Sequence, residues 1–222
     1  SLMATKMFFS SVPKNIPQKY HVEERNVIIM KFILASKSPR RKELLKFIIP
    51  EFEVIASEYD EKLQRGLTPE EQAIRLADGK AKSVYAKTSG DRVIIGSDTM
   101  VVKNGKIFGK PHDEEDAKSM IKELLEGDRT HKVITGLSVI VQKGNQYREF
   151  KTFDESKIYL KDISDEEIQW WINTGHAMDK AGAYGIQDEF CVFVEKINGN
   201  YASIVGLPIE KLYDIMKEIK QM

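Results

Sequence analysis

Apolar positions along this chain recur with two periods, and turn residues punctuate the switches between them. Short apolar runs and alternations predict strands over Lys31–Ala35, Phe52–Ser57, Arg92–Val102, Lys132–Gln142, Glu149–Leu160, Phe190–Ile197 and Tyr201–Val205. Spacings of three and four predict helices over Pro39–Ile48, Pro69–Lys87, Glu114–Leu125, Asp165–Thr174 and Pro208–Lys220. Thr68-Pro69-Glu70-Glu71 and Ser164-Asp165-Glu166-Glu167 read as capping boxes, and Asp113 is placed to cap the helix at Glu114. Asn104-Gly105 and Gly144-Asn145 each signal a tight hairpin. Hairpins interspersed with helical crossovers imply an α/β protein whose sheet is mixed, not purely parallel.

Composition excludes several functions. The 222 residues fit one large domain or two small lobes and are ample for a buried core. Thirty-four basic side chains balance 34 acidic ones, which argues against a bulk nucleic-acid or membrane-surface binder. Any cationic site must therefore be local. No run of about 18 apolar residues is present, so no membrane-spanning helix is expected. The single cysteine, Cys191, has no partner for an internal disulfide, which fits a reducing, cytoplasmic setting. Its apolar neighbours make it read as a small buried residue on a strand. The four histidines show no metal-ligand spacing. Residues 1–29 lack the apolar stretch of a signal peptide and read as an N-terminal extension or an added leader. The folded domain is expected over residues 30–222.

Five local features carry candidate chemistry. Ser38-Pro39 reads as a helix start, and Arg40 and Arg41 follow it at the end where cations are disfavoured by the helix dipole. Either a phosphate binds there, held by forked guanidinium bonds, or both arginines turn to solvent. Ser97-Asp98-Thr99 interrupts an apolar strand, so Asp98 is a candidate metal ligand or general base. Lys80 falls on the apolar arc of its helix, where it either snorkels or meets an anion. Lys110 sits in a Gly-Lys-Pro turn after a hairpin strand. In Asp179–Gln187, small residues surround Tyr184 and Gln187, and the Gln187 amide offers the donor and acceptor that reading a base edge requires. Together these features suit a nucleotide polyphosphate with a divalent metal. The sequence has neither a P-loop nor a GxGxxG fingerprint.

The ordered motifs LASKSPRRKELL, DEKL, GKAK, IIGSDTMV, GKP, VITG, MDKAGAYGIQ and IVGLP resemble the Maf family of nucleotide pyrophosphatases, from about Phe32 to about Pro208. Ser97 stands where that family commonly has alanine. The resemblance implies an elongated mixed sheet flanked by helices, with two lobes around a central cleft, similar to inosine triphosphate pyrophosphatases. It implies hydrolysis of a nucleoside triphosphate between its α and β phosphates, with Mg²⁺ or Mn²⁺ as cofactor. Asp98 matches the family's proton acceptor. Arg40, Thr99 and Gln187 match positions tied to substrate choice in the dTTP/UTP branch, and Ser36, Arg41, Glu61, Lys80 and Lys110 match the other polar cleft positions. Glu61 and Asp98 are the expected metal ligands. The expected partners are the nucleotide and a second copy in a homodimer, without nucleic acid or membrane. Two other readings stand beside this one: a non-catalytic nucleotide-binding regulator of cell division and septum formation, and an enzyme that removes modified purine nucleotides.

Overall fold

The computed structural model describes residues 30–222; the expectations for residues 1–29 lie outside the described residues. In chain order the elements are β1 (Lys31–Leu34), α1 (Pro39–Lys46), β2 (Glu53–Val54), α2 (Pro69–Tyr85), β3 (Arg92–Lys103), β4 (Lys106–Phe108) and α3 (Glu114–Leu125). There follow β5 (Thr130–Lys143), β6 (Gln146–Leu160), α4 (Asp165–Asn173), β7 (Val194–Asn198), α5 (Tyr201–Val205) and α6 (Ile209–Ile219). Two short 3₁₀ segments, Ala181–Ala183 and Glu189–Phe193, lie between α4 and β7.

Local chemistry sets the boundaries. Ser38 accepts a hydrogen bond from the Arg41 amide at the head of α1. Thr68 and Ser164 form reciprocal capping boxes with Glu71 and Glu167 on α2 and α4. Asn104 and Gly105, both at positive φ, turn β3 back into β4 as a tight hairpin requires.

Three segments depart from the sequence reading. The strand expected over Phe52–Ser57 is only Glu53–Val54. Tyr201–Val205 forms a helix where alternation suggests a strand, because Asn200 accepts bonds from the amides of Ala202 and Ser203 and nucleates the turn. Glu189–Phe193 is a 3₁₀ turn, so the strand begins at Val194 rather than Phe190. At this period Phe190 and Phe193 share the buried side, while Cys191 and Val192 face outward. Cys191 is therefore exposed, not a buried strand residue.

The seven strands form one mixed sheet in the order β2-β1-β3-β5-β6-β7, with β4 on β3. β1 runs parallel to β2 and β3, and the remaining pairings are antiparallel. Helices cover both faces. Ile94 and, further along, Met100 and Val102 pack toward α2, while Val93, Ile95 and Val101 join the larger core under α1, α3, α4 and α6. The alternation along β3 thus has two buried sides, which explains its nearly continuous apolar run.

Two features of β3 position the site. A Cβ at Gly96 would lie 2.3 Å from the Ala77 carbonyl oxygen, and one at Gly136 of β5 would lie 2.1 Å from that of Ala73. α2 therefore rests directly on the sheet backbone. In addition, one edge of β3 pairs with β1 over Arg92–Ile95 and with β4 over Val101–Lys103, leaving Gly96–Met100 without a strand on that side. The opening lies beyond the carboxyl end of β1. β1 and α1 flank it on one side, β4 and the 179–188 segment on the other.

Gly136→Ala and Gly96→Ala are each expected to lower stability by about 3 kcal/mol or more, since backbone must shift to admit the methyl group. Gly109→Ala, whose added Cβ meets nothing within 4 Å, is expected to change it little. Urea unfolding of the three variants checks this.

A second expectation concerns acid. His131 is buried with Nε2 2.5 Å from the Tyr184 hydroxyl and Nδ1 without a partner among the described residues. Burial, aided by the Lys103 charge, pushes its pKa down to about 3. Below about pH 6.5 the unfolded chain takes up a proton that the folded chain refuses until about pH 3. Stability is thus expected to fall across that window, by up to about 1.4 kcal/mol per pH unit from this group. In His131→Gln, urea midpoints measured from pH 7 to pH 4 should lose that part of the slope.

Candidate active site

The opening beside β3 widens into a cleft of about 920 Å³, within the usual size range of ligand pockets. Ser36, Arg40, Arg41, Glu61, Lys80, Asp98, Thr99, Lys110 and Gln187 all line it. Because β3 alternates, Asp98 projects toward α2 while Ser97 and Thr99 project to the other face, and the open strand edge joins the two halves of the cleft.

On the α2 side, Lys80 is neither snorkelled nor free. Its Nζ lies 2.5 Å from Asp98 Oδ1 and 3.0 Å from Glu61 Oε1. The Lys80 and Asp98 side chains are 8% and 9% exposed, whereas Glu61 is 60% exposed. The buried pair is thus strongly coupled and the outer carboxylate only loosely so.

On the opposite side, the two arginines do not both turn to solvent. Arg41 turns inward: Nε donates to the Gly206 carbonyl at 2.8 Å, one terminal nitrogen to Ser36 Oγ at 3.1 Å, and the other to Thr99 Oγ1 at 3.3 Å. Burial lowers its pKa, while Asp98 and Glu61 oppose that shift. The Thr135 hydroxyl lies 3.1 Å from Thr99 Oγ1 and donates to the Ser203 carbonyl at 2.7 Å, and Ser97 Oγ is 2.9 Å from the Gly206 carbonyl. Arg41 thus ties α1, β3 and the α5 terminus together. Arg40 remains outside, a third exposed, with one terminal nitrogen 3.5 Å from Asp179 Oδ2.

Lys110 is exposed at the rim, with no ion-pair partner among the described residues. Gln187 is also exposed, and its side chain hydrogen-bonds the Tyr201 hydroxyl. Tyr184 lines the cleft but is buried, with its hydroxyl 2.5 Å from His131 Nε2.

Sequence reasoning missed several cleft residues. Lys180 is buried, with Nζ 2.6 Å from Asp179 Oδ1, 3.1 Å from Asp188 Oδ2 and 2.5 Å from the His176 carbonyl. It knots the segment that presents Gln187. A lysine flanked by two aspartates within ten residues was the available signal.

The donor set bears on a metal ion. Among the described residues no group of three or more His, Cys, Asp or Glu side chains could hold one. Asp98 and Glu61 offer hard carboxylate oxygens on either side of Lys80. Two carboxylates suit Mg²⁺ or Mn²⁺ only when phosphate and water oxygens complete the shell.

The Maf-like protein family model matches residues 31–219. The chain belongs to this family. A dTTP/UTP pyrophosphatase from Thermoanaerobacter is 45% identical over 188 residues, covering 85% of this chain and 96% of that protein. One from Bacillus velezensis is 44% identical over 189 residues, with the same coverage. Among solved structures, a HAM1 protein from Coxiella burnetii aligns with a TM-score of 0.46 at 12% identity, covering 86% of this chain and all of that one. In this Maf-family chain no described helix is long and apolar enough to cross a membrane.

Removing Lys80 would strand Asp98. Lys80→Met is expected to cost about 3–5 kcal/mol in urea unfolding, and Lys80→Met/Asp98→Asn to recover much of that loss. Wild-type stability in the single variant would show that the pair does not form.

Proposed function

We propose that this chain hydrolyses dTTP and UTP to the nucleoside monophosphate and pyrophosphate. The observation that carries the proposal is the buried Lys80–Asp98 pair, extended by Glu61, in a cleft with further cations at its rim. The names of the relatives supply the substrate class.

In this reading the triphosphate lies across the open edge of β3. Asp98 takes the proton of a water that attacks the α phosphorus. The new oxygen–phosphorus bond forms as the bridge to the β phosphorus breaks, and the electron pair leaves with pyrophosphate. Lys80, Arg40 and Lys110 meet the charge that develops on the leaving group. Arg41, committed to three bonds within the protein, acts mainly to hold Thr99 and Ser36 in place. Asp98 and Glu61 would hold Mg²⁺ or Mn²⁺ together with phosphate oxygens, and the cation would supply further charge neutralisation. Gln187 and Thr99 would meet the pyrimidine edge. The lone cysteine suits a cytoplasmic setting for this reaction.

A panel of nucleoside triphosphates, with products identified, tests this. The expected outcome is pyrophosphate release, fastest from dTTP and UTP, and a kcat lower by about 10²–10⁴ in Asp98→Asn. No pyrophosphate from any triphosphate with either metal would replace catalysis by a nucleotide-binding regulatory role. Preference for modified purine triphosphates would overturn the substrate assignment alone.

A further inference from the structure

Glu61 reaches Lys80 from an unusual place. It lies in residues 55–68, a connection between β2 and α2 with no helix or strand of its own. Most such connections run to about 2–6 residues, and longer ones in compact domains are usually functional or disordered. This one is ordered by the helix it leads into. The chain passes antiparallel along α2, joined to it at successive turns.

Glu58 pairs with Lys87 at the far end. The Ser57 and Ser83 hydroxyls lie 2.8 Å apart. The Tyr59 ring covers Gly79, where a Cβ would sit 2.3 Å from the ring carbons. Arg75 then makes the joint nearest Glu61. One of its terminal nitrogens donates to the Tyr59 hydroxyl at 2.8 Å, the other to the Lys62 carbonyl at 2.5 Å, and Nε donates to Gln72 Oε1 at 3.0 Å. Buried Gln72 in turn donates to the Gln64 carbonyl at 2.5 Å. One guanidinium therefore grips the residues on both sides of Glu61, two before it and one after.

We propose that Arg75 is a positioning residue: it fixes the 59–62 segment so that the Glu61 carboxylate stands beside Lys80 when the triphosphate binds. Glu61 is 60% exposed and contacts Lys80 at 3.0 Å, so its own ion pair is too weak to hold a long unstructured segment in place. Its placement must come from elsewhere. Arg75 and Lys80 share one rigid helix, so fixing the segment to Arg75 fixes it relative to Lys80 and, through Lys80, to Asp98. A planar fork suits this task, since two of its nitrogens reach separate acceptors in one geometry; lysine can serve at most one well.

The proposal rests on the role given to Glu61 above, and the experiment separates the two. Full-length wild type, Arg75→Met, Arg75→Lys, Glu61→Gln and Arg75→Met/Glu61→Gln are compared in steady-state dTTP hydrolysis. Hydrogen–deuterium exchange is followed over residues 57–67, and thermal midpoints are recorded. Arg75→Met is expected to lower kcat/KM at least tenfold and to raise exchange in 57–67 while β3 and β5 stay protected. Arg75→Lys should fall between it and wild type, and the double variant should be no slower than Glu61→Gln alone. Wild-type kcat/KM in Arg75→Met beside a crippled Glu61→Gln would overturn the proposal alone. Losses that multiply in the double variant, or exchange that rises throughout the sheet, would also overturn it, because Arg75 would then act on stability or on another group. Wild-type turnover by Glu61→Gln would overturn both this proposal and the role assigned to Glu61.

Discussion

Lys80 and Asp98 meet at 2.5 Å with each side chain less than a tenth exposed, so neither charge can stand there alone without a penalty of several kcal/mol. Their meeting depends on how close α2 lies to the sheet. That approach is possible only because positions 96 and 136 have no Cβ to collide with the Ala77 and Ala73 carbonyls. Two residues that would weaken an ordinary strand are thus the condition for the buried pair. The pair then sits beside the one stretch of β3, Gly96–Met100, whose outer edge has no neighbouring strand. Packing, charge and access are set by the same few residues.

The cleft is cationic although the chain as a whole is balanced. Six lysines and arginines line it against four carboxylates, which focuses a positive field where an anion would enter. Half of those cations already meet a carboxylate: Lys80 meets Asp98 and Glu61, Arg40 meets Asp179, and Lys180 meets Asp179 and Asp188. An anionic ligand therefore exchanges partners at Lys80 and Lys180 while meeting Lys110 directly. Such an exchange discriminates against weakly charged ligands, because a single negative charge gains little by displacing a carboxylate already in place.

Local rules made much of this legible in the sequence. Thr68, Ser164 and Asp113 cap helices where their side chains dictate, and Asn104-Gly105 turns a hairpin for reasons of φ alone. Asp98 stood out because a carboxylate inside an apolar run must be explained. What escaped was whatever depends on a partner distant in sequence. Tyr201–Val205 alternates like a strand, and only the Asn200 cap shows otherwise. Phe190 and Phe193 look continuous with a strand until the 3₁₀ turn separates their side of the chain from Cys191. The residues that grip the Glu61 segment were invisible for the same reason. Gln72 and Arg75 are ordinary helix formers, and the carbonyls they serve carry no signature in a sequence.

The two arginines show how a correct choice of residues can still leave their tasks unresolved. At the start of a helix, neighbouring side chains point about 100° apart, so Arg40 and Arg41 leave the backbone in different directions although both line the cleft. The sequence shows two cations at an unfavourable end of a dipole and invites a single explanation for both. The structure divides them. Arg41 satisfies the Gly206 carbonyl and the hydroxyls of Ser36 and Thr99, all partly or fully withdrawn from water, and so has an internal reason to exist that needs no ligand. Arg40 has only a loose contact with Asp179 and keeps its fork available. The dipole penalty is therefore offset by internal bonds at one position and by the demand for an anion at the other, and adjacent residues of the same type contribute separately to architecture and to binding.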